Sequence, residues 1–477
     1  MSSHSSGDRA IVIGGSIAGL LAARVLADRF DRVTIIERDR YPEEPKPRPG
    51  VPQSDQGHVL LSQGQRILEQ LFPGLTASLT EKGALKIDWI ADVALLLNVS
   101  DVWAPRFLSG ITTCLCSRNL LELTIRKHLG NFSQVKFLQA GSVTELLTNS
   151  EKTTVEGVRV KVAGEGQIEL PAQLVVDASG RNSVAPRWLK ALGYEIPQET
   201  KINSFLGYAT RLYERPQVGA EDWKFLYVMP SAPDYRRGGG IAAIEGECWI
   251  VTLMGVGKDY PPTKETGFLD FARSLRSSVL YQAITNAQPI SPIYGYRNTE
   301  NRLRHYEKLE RMPENLVILG DAVCSFNPVY GQGMTVAALD ALTLDSCLEQ
   351  QQQSRGKENF YGLSRRFQQQ IAKVNKTPWM MATGDDLRWS TTVGAKPDLI
   401  TRLMQKYLDQ VINAAVENNT VYKAFSEVMN MLKPPTALFA PHILLKVWQH
   451  KLKNTLTRKT IDDNLIHHVP QMGSTEL

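Results

Sequence analysis

Apolar residues recur along this chain with two periods, one typical of strands and the other of helices. Short apolar runs at residues 9–13 and 33–36 predict buried strands, and residues 20–27 between them follow the helical period. A third apolar run, residues 316–319, predicts another buried strand, and residues 334–348 return to the helical period. Strands that alternate with helices in this way favour an α/β fold with a parallel sheet.

The middle and the end of the chain follow other patterns. Residues 88–99 predict a strand, residues 135–176 three β segments, and residues 203–255 an antiparallel sheet with short turns. Residues 64–72 and 117–129 predict helices, the second with Ser117 as its N-cap, and the chain from residue 357 to about 460 is mainly helical. Residues 41–52 contain five prolines, which predicts an irregular segment.

Aromatic residues are frequent in the predicted antiparallel sheet. One face of that sheet can form the wall of an apolar pocket, although each aromatic residue taken singly is as well explained by the core. The residues are Phe205, Tyr208, Tyr213, Trp223, Phe225, Tyr227 and Trp249.

A glycine turn connects the first predicted strand to the first helix. In the sequence Gly-Gly-Ser-Ile-Ala-Gly at residues 14–19, Gly14 suits a tight turn and Gly19 lets helix and strand pack closely. Glu37 ends the second strand, 23 positions after Gly14, where an acid can bind ribose hydroxyls. Ser16 replaces the middle glycine of the dinucleotide-binding fingerprint. A glycine turn in a nucleotide-free α/β domain is the alternative.

The apolar run at 316–319 leads into an acid, a glycine loop and a helix. Asp321 follows the predicted strand at its carboxyl end, where open α/β sheets bind ligands. After Pro328, Gly331 and Gly333 let the backbone approach a ligand, and the N–H groups that start the next helix favour negative charge. Such a loop can hold a flavin, and a side chain added at Gly331 would then meet the flavin ring. An ordinary strand, turn and helix is the alternative.

Composition excludes several classes of protein. The 477 residues are 43% hydrophobic and 22% charged, as in globular proteins, and no apolar run reaches the roughly 18 residues of a membrane span. The five cysteines form no C-x-x-C pair, which argues against a disulfide framework and a structural metal site. The net charge of +5 comes without a basic tract interleaved with aromatics, so nucleic acid is not predicted as a partner. The polar start shows no secretory signal, and the expected location is the cytoplasm.

Residues 441–460 carry cations and no acid, which admits two interpretations. The segment can be a helix that lies at a membrane surface, with apolar residues opposite its charges, or a terminal helix packed on the body of the protein. Its cations are Lys446, Lys451, Lys453, Arg458 and Lys459, and its apolar residues are Ile443, Leu444, Val447, Trp448 and Leu452.

Three motifs in this order resemble the single-component FAD-dependent monooxygenases of the para-hydroxybenzoate hydroxylase fold, and among them the epoxidase-like enzymes of natural-product pathways. The motifs are residues 14–19, residues 177–183 (Asp-Ala-Ser-Gly-Arg-Asn-Ser) with Arg187, and Gly320-Asp321 with its loop. The resemblance implies an FAD-binding Rossmann-like domain of the glutathione reductase type 2 kind over residues 8–85, 110–195 and 296–350. An antiparallel substrate domain would take residues 86–109 and 196–295, and a helical region residues 351–477.

The resemblance also implies roles for individual residues. Glu37 would bind the adenosine ribose, Arg48 and Arg118 would meet the pyrophosphate, and Val143 would touch the adenine. Asp321 would bind the ribityl chain, Pro328 would pack by the isoalloxazine, and the amides of Gly333 and Met334 would face its pyrimidine edge. The predicted FAD contacts are Gly14, Gly15, Ser16, Ala18, Gly19, Glu37, Arg38, Arg48, Arg118, Val143, Asp177, Gly320, Asp321, Pro328, Gly331, Gln332, Gly333 and Met334.

The activity that the resemblance implies is insertion of one oxygen atom from O2 into a lipophilic alkene or aromatic substrate through a flavin C4a-hydroperoxide. Electrons would come from NAD(P)H or as reduced flavin from a partner reductase. Asp177-Ala-Ser-Gly180 stands where many hydroxylases have Ala-Asp-Gly, which leaves direct NADPH docking open and makes an alkene (prenyl-type) reductase an alternative. A halogenase is disfavoured because the sequence Trp-x-Trp-x-Ile-Pro is absent, and a flavin-free binding protein would leave all three motifs unused. His58 is the best candidate for a catalytic base, with a structural histidine as the alternative.

Overall fold

The computed structural model describes residues 8–99, 101–216, 221–356, 359–456 and 467–472. Arg458 and Lys459, which belong to the predicted basic segment, lie outside these residues. The strands are β1 (Arg9–Ile13), β2 (Arg32–Glu37), β3 (Leu85–Asp88), β4 (Val93–Leu96), β5 (Thr112–Leu115), β6 (Val135–Gln139), β7 (Gly141–Thr148), β8 (Val155–Val162), β9 (Gly166–Pro171), β10 (Leu174–Asp177), β11 (Glu199–Ile202), β12 (Gly207–Glu214), β13 (Phe225–Val228), β14 (Arg237–Ile244), β15 (Cys248–Gly255), β16 (Tyr294–Tyr296), β17 (Asn301–Arg304), β18 (Leu316–Ile318) and β19 (Cys324–Ser325). The helices are α1 (Ile17–Ala27), α2 (Ser62–Leu71), α3 (Leu75–Glu81), α4 (Arg118–Leu129), α5 (Ala185–Ala191), α6 (Glu265–Arg273), α7 (Val279–Thr285), α8 (Gln332–Arg355), α9 (Leu363–Asp386), α10 (Leu399–Glu417), α11 (Asn419–Met429) and α12 (Pro441–Leu456).

A parallel five-stranded sheet organises the nucleotide-binding half of the fold. Its order is β18-β10-β1-β2-β6, and its central strands are apolar because both faces are covered. Helices α1, α4 and α8 pack on one face, and the antiparallel sheet β7-β8-β9 packs with α5 on the other. The predicted α/β architecture is confirmed. All five strands come from the three segments predicted for the FAD-binding domain.

A second, mixed sheet of six strands has the order β16-β12-β15-β14-β13-β4, with antiparallel pairing throughout except between β13 and β4. Alternation along β13 sends Leu226 and Val228 into a core shared with α6 and α7, while Phe225 and Tyr227 point to the opposite face. The aromatic residues of this region therefore divide between two roles. Trp223 and Trp249 stack in the core with ring centroids 5.7 Å apart.

Helices α9 to α12 cover the opposite face of the second sheet. Their apolar core contains Val411, Ile412, Tyr422, Ile443 and Val447, packed against residues that flank β4. The helical character predicted from residue 357 onward is confirmed within the described residues. Helix α12 buries Ile443 and Val447 but leaves Leu444, Leu445, Trp448 and Leu452 exposed.

Two strand predictions were wrong. Residues 88–99 do not form one strand, because the Asp88 carboxylate accepts hydrogen bonds from the backbone N–H groups of Ile90 and Ala91 and so turns the chain before β4. Residues 135–176 contain five strands rather than three, β6 to β10. Ala140 has φ 55°, and this single left-handed residue carries the chain from the parallel sheet into the antiparallel one.

Candidate functional site

One continuous cavity of about 1090 Å³ runs from the glycine turn after β1 to helices α9–α11. It begins at the carboxyl ends of β1, β2 and β10, the edge at which parallel α/β sheets bind ligands. It continues past the loop at 328–334 and ends between the second sheet and the C-terminal helices. A ligand in this cavity can therefore contact both halves of the fold.

The glycines after β1 are required by close packing. Gly14 has φ +99°, and a Cβ there would lie 2.6 Å from the carbonyl oxygen of Ala178. A Cβ at Gly19 would lie 1.8 Å from the carbonyl oxygen of Gly14, so α1 can approach β1 this closely only with glycine. Ser16 is the N-cap of α1, and its side chain does not cap the helix. The N–H groups that start α1 are therefore available for an anion.

A buried cluster of charges lies beside the start of α1. Arg118 Nη2 donates to Ser16 Oγ at 2.5 Å, and its Nη1 lies 3.1 Å from Oε2 of Glu122, one turn further along α4. Ser16 Oγ in turn donates to Glu122 Oε2 at 2.9 Å. Arg48 Nε donates to Glu122 Oε1 at 2.9 Å. Ser16 thus bonds to α4 rather than to its own helix, which frees the N–H groups of α1.

The proline-rich segment is held in place by the end of β2. The carboxylate of Asp39 accepts hydrogen bonds from Gly50 N at 2.7 Å and from Arg48 Nη1 at 2.9 Å. Glu37 Oε2 accepts from Gly15 N at 2.9 Å, and its Oε1 lies 3.1 Å from Arg48 Nη1. A guanidinium has five N–H donors, so both arginines can pair with carboxylates and still bind phosphate oxygens.

Burial and neighbouring charges set the ionisation of this cluster. Burial alone would raise the pKa of Glu122, but the charges of Arg118 and Arg48 bring that pKa below its ordinary value. Burial lowers the pKa of Arg118, which the charge of Glu122 partly offsets. The result is a charged network that is already paired before a ligand binds.

The loop between β18 and α8 forms the floor of the cavity. Gly320 has φ +63° and donates its N–H to Asp340 Oδ2 at 2.9 Å, which turns the next residue, Asp321, toward the cavity. Burial raises the pKa of Asp321, and the charges of Arg181 and Arg118 oppose this rise. Helix α8 starts at a left-handed Gly331 without a side-chain cap, so its first N–H groups are also available.

Gly331 and Gly333 differ in what a side chain would meet. A Cβ at Gly331 would lie 2.3 Å from Cγ2 of Val59, so the expected clash at Gly331 is with the protein itself and not only with a ligand. A Cβ at Gly333 would meet no protein atom within 4 Å, although Gly333 lines the cavity. Space for a planar ligand is therefore kept open at Gly333.

The structure brings most of the predicted FAD contacts together. The residues that line the cavity are Gly14, Gly15, Ser16, Ala18, Glu37, Arg38, Arg48, Arg118, Val143, Asp321, Pro328, Gly331, Gly333 and Met334. The predicted contacts that do not line it are Gly19, Asp177, Gly320 and Gln332. Gly19 and Gly320 shape the backbone beneath the cavity, and the Gln332 side chain is buried. The role of each residue in binding stays a prediction.

Asp177 points into the protein. Its Oδ1 accepts from Ser179 N at 2.9 Å and its Oδ2 from Ser183 Oγ at 2.5 Å, and its side chain is fully buried. In this structure the carboxylate closes the turn between β10 and α5. The resemblance implied a cofactor contact for Asp177, but an acid that follows a buried strand can also close an internal Asx-type turn.

His58 lines the cavity, and the residue after it, Val59, lies against Gly331. Its Nδ1 donates to the carbonyl oxygen of Gln56 at 2.8 Å. Burial and the charge of Arg118 lower the pKa of His58 to about 4. The ring is therefore neutral at physiological pH and weakly basic.

Several residues of the cavity and its surroundings were not predicted from the sequence. Glu122, which pairs with Arg118 and Arg48 beside the cavity, had a detectable signal, since it lies four positions after Arg118 on a helix. Arg181 is held by the carbonyl oxygens of Glu300 and Phe326, contacts that no local pattern indicates. Asp385 and Arg388 reach the cavity from the end of α9, far from the motifs in sequence. Among the described residues, no cluster of His, Cys, Asp and Glu is suited to hold a metal ion.

Comparison with known proteins decides the family. A family model described as "FAD binding domain" matches residues 9–361. The chain belongs to this FAD-binding family. Helix starts without side-chain caps, the cavity-lining arginines Arg48 and Arg118 and the open space at Gly333 fit an extended FAD, and the family match identifies FAD as the cofactor.

A curated relative matches this FAD-binding protein over most of its length. "Protein Rv3254" of Mycobacterium tuberculosis is 31% identical over 433 residues, which cover 89% of this chain and 90% of that protein.

Solved structures share the fold of this FAD-binding protein at low identity. A flavoprotein/dehydrogenase from Cytophaga hutchinsonii is 14% identical, with a TM-score of 0.65 over 94% of this chain and 99% of that one. PqsL, a probable FAD-dependent monooxygenase from Pseudomonas aeruginosa, is 16% identical, with a TM-score of 0.56 over 80% and 98%. The flavin-dependent halogenase CmlS is 15% identical, with a TM-score of 0.60 over 87% and 74%. The protein is therefore an FAD-binding enzyme of the monooxygenase fold, a fold that also serves halogenation.

Proposed function

We propose that this protein is an FAD-dependent monooxygenase, a hydroxylase or epoxidase, that inserts one oxygen atom from O2 into a lipophilic alkene or aromatic substrate. One observation carries the proposal: the cavity continues past the loop at 328–334 into a chamber with mainly apolar walls. Phe225 and Tyr227 of the second sheet form one wall, and Met381, Met404 and Leu408 of α9 and α10 form the opposite wall. A lipophilic molecule in this chamber lies next to the position expected for the flavin ring.

Some residues of the chain would bind FAD, and others would limit the access of water to the substrate. Glu37, Arg48 and Arg118 would hold the ribose and pyrophosphate, and the N–H groups at Gly333 and Met334 would face the flavin ring. When bound and reduced, the flavin supplies the oxygen-activating chemistry. The apolar packing of α9–α11 beside the second sheet would limit the access of water, which would otherwise consume the activated oxygen.

The source of electrons is part of the proposal. NAD(P)H or reduced flavin from a partner reductase would serve. The inward orientation of the Asp177 carboxylate favours the second route, because this acid cannot contact a nicotinamide cofactor in the cavity without breaking its bonds to Ser179 and Ser183.

Isotope labelling tests the proposed reaction. FAD-loaded protein is supplied with 18O2, NADH, NADPH or a separate flavin reductase, and a panel of lipophilic alkenes and phenols. We expect substrate-dependent oxygen consumption and one 18O atom in the product by mass spectrometry. Substrate reduction under anaerobic conditions, with no 18O product in air, would instead establish the alkene reductase. Bromide-dependent halogenation without 18O incorporation would establish a halogenase.

We also propose that α12 brings the protein to anionic membrane surfaces. Its exposed side chains include Leu444, Leu445, Trp448 and Leu452, and the same helix carries Lys446, Lys451 and Lys453. Apolar groups and cations on one helix are what binding to an anionic lipid surface requires. Among the described residues, no helix is both long and apolar enough to cross a bilayer.

A further inference from the structure

Two neighbouring aspartates at the end of α9 face different surroundings. Asp386 is 5% exposed, and its carboxylate accepts hydrogen bonds from the side-chain amides of Asn301 at 2.6 Å and Asn327 at 2.8 Å. These bonds hold α9 against β17 and the flavin loop. Asp385 lines the cavity, and 26% of its side-chain surface is exposed. Asp386 therefore serves the fold, whereas Asp385 presents its carboxylate to the chamber.

The neighbours of Asp385 do not use all of its hydrogen-bond acceptor sites. Arg388 Nε lies 3.1 Å from Asp385 Oδ1, but the same guanidinium also pairs with Asp409, where Nη2 and Oδ1 are 2.8 Å apart. Asn98 Nδ2 approaches the same Oδ1 at 3.5 Å. One guanidinium thus serves two carboxylates. A carboxylate has two oxygens and about four acceptor sites, so Asp385 can accept a further hydrogen bond.

The position of Asp385 relates it to the flavin. The hydroxyl of Tyr330, which ends the short turn Pro328–Tyr330 immediately before Gly331, lies close enough to the Asp385 carboxylate to oppose the rise of its pKa. Tyr330, Asp385 and Arg388 all line the cavity. A group bound at Asp385 is therefore one side chain away from the loop on which the flavin ring is expected to lie.

Asp385 is a charged group in a mainly apolar part of the cavity. The chamber walls near the end of α9 are largely apolar, with Met381, Met404 and Leu408 among them. An ionisable pair in such a place is weak evidence for stability, because burial of two charges costs about as much as their attraction returns. Burial also raises the pKa of Asp385, which the Tyr330 hydroxyl and Arg388 oppose.

We propose that Asp385 is the specificity-determining acceptor for a hydroxyl group of the substrate, so that the chamber selects lipophilic molecules that carry a phenolic or enolic hydroxyl. The inference rests on the proposed function and specifies its substrate class. The hydroxyl donates to the Asp385 carboxylate, and the carbon skeleton lies along Phe225 and Tyr227 of the second sheet. This anchor fixes which carbon faces the flavin. It also distinguishes such substrates from simple alkenes, which have no group to satisfy the acceptor.

The test measures binding and does not depend on turnover. Isothermal titration calorimetry on FAD-loaded protein compares two pairs of probes, 2-naphthol with 2-methoxynaphthalene, and estradiol with its 3-methyl ether. In at least one pair we expect the hydroxyl compound to bind about tenfold more tightly, the effect of a hydrogen bond to a charged group. In Asp385→Ala the preference should disappear, and in Asp385→Asn it should shrink to about two- to threefold because a neutral acceptor remains.

A matched variant separates the carboxylate from its network. Asp409→Asn removes the other partner of Arg388 but no residue that lines the cavity, so we expect it to keep the preference. The inference is overturned if neither pair shows a preference for the hydroxyl compound, or if Asp385→Ala keeps it. If all variants contain as much FAD as the wild type, a change in probe binding arises in the chamber and not from loss of FAD. A hydroxyl preference without 18O incorporation would contradict the proposed reaction and leave this binding site standing.

Discussion

At the scale of single residues, the glycines and acids of the motifs were predicted for reasons that the structure makes explicit. Gly14 and Gly19 are irreplaceable because carbonyl oxygens occupy the space of a Cβ. Asp321 lies at the cavity, as expected for an acid after a buried strand, whereas Asp177 in a similar sequence context turns inward. Both acids come after an apolar strand and are followed by alanine, but only Asp177 has serines two and six positions further on. The neighbours Ser179 and Ser183 decide the difference, and only the folded turn shows it.

Gly333 offers a test of the cofactor position. Gly333→Val should abolish FAD retention, since its side chain would fill cavity space that no protein atom occupies. The melting temperature of the apoprotein should change little for the same reason. Flavin absorbance of the purified protein measures the first expectation and thermal unfolding the second. Gly384→Val is the matched control, because Gly384 has equal free space but lies on α9 beside Asp385. A yellow Gly333→Val protein would show that the flavin lies elsewhere.

Asp340 gives a prediction about pH. Its side chain is fully buried beneath the flavin loop, burial raises its pKa to about 8, and Oδ1 has no hydrogen-bond partner. Because the folded pKa is above the unfolded value, folding retains a proton, and this stability is lost as pH rises toward 8. Asp340→Asn keeps the bond from Gly320 N–H without the charge.

The wild type should therefore lose stability relative to Asp340→Asn between pH 6 and pH 8, by at most about 1.4 kcal/mol per pH unit. Thermal unfolding of both proteins across that range measures the difference. Asp345→Asn, on the same helix with 40% of its side chain exposed, should run parallel to the wild type. If the stabilities of the wild type and Asp340→Asn change in parallel between pH 6 and pH 8, Asp340 is already ionised in the folded state at pH 6.

At the scale of elements, helices with capping signals were predicted best. Ser117 is the N-cap of α4, and its Oγ accepts a hydrogen bond from Leu120 N at 3.1 Å. Strand boundaries were harder, because one left-handed residue such as Ala140 separates β6 from β7 without a turn signal in the sequence. The start of α8 lies at Gln332, two residues before the apolar period begins. Helical periodicity detects the buried face of a helix and not its first turn.

Ser117→Ala tests how α4 supports the site. We expect the free energy of unfolding to fall by roughly 0.5 to 2 kcal/mol, the usual cost of losing an N-cap. FAD affinity should fall as well, because α4 carries Arg118 and Glu122. Chemical unfolding and flavin fluorescence titration measure the two effects. Ser117→Asp restores a capping acceptor but approaches Glu245, whose carboxylate accepts from Ser117 N at 2.8 Å, so Ser117→Asn is the better rescue variant. Failure of Asn to restore stability would show that the cap is not the cause.

At the scale of the whole molecule, the cavity is assembled from segments that are distant in sequence. The turn after β1, the proline-rich segment, the loop before α8 and the end of α9 all reach it. The motifs predicted the end of the cavity at which FAD is expected to bind. The chamber depends on how α9–α12 pack over the second sheet, and no motif marks that contact. Helix α12 packs on the body of the protein through Ile443 and Val447 and exposes Trp448. Packing as a terminal helix and contact with a membrane surface are therefore compatible.

The exposed face of α12 predicts lipid binding. The protein should float with liposomes that contain phosphatidylserine and stay in the pellet fraction with pure phosphatidylcholine, because the helix joins apolar groups to cations. The double substitution Trp448→Ser and Leu452→Ser should remove the association while leaving the core residues Ile443 and Val447 in place. Leu399→Ser, an exposed apolar position on α10, is the control. No flotation by the wild type would leave α12 as a packed terminal helix.

The sequence by itself determined the α/β class, the FAD-binding family and most of the segments that line one end of the cavity. It could do so because tight turns, helix starts and strand ends need particular residue types within a few positions of each other. Only the tertiary structure decided which acids face the cavity, since Asp177 and Asp386 are turned inward by distant or neighbouring partners while Asp385 is not. The chamber and the position of Asp385 in it arise from packing between elements over a hundred residues apart, which no local pattern records.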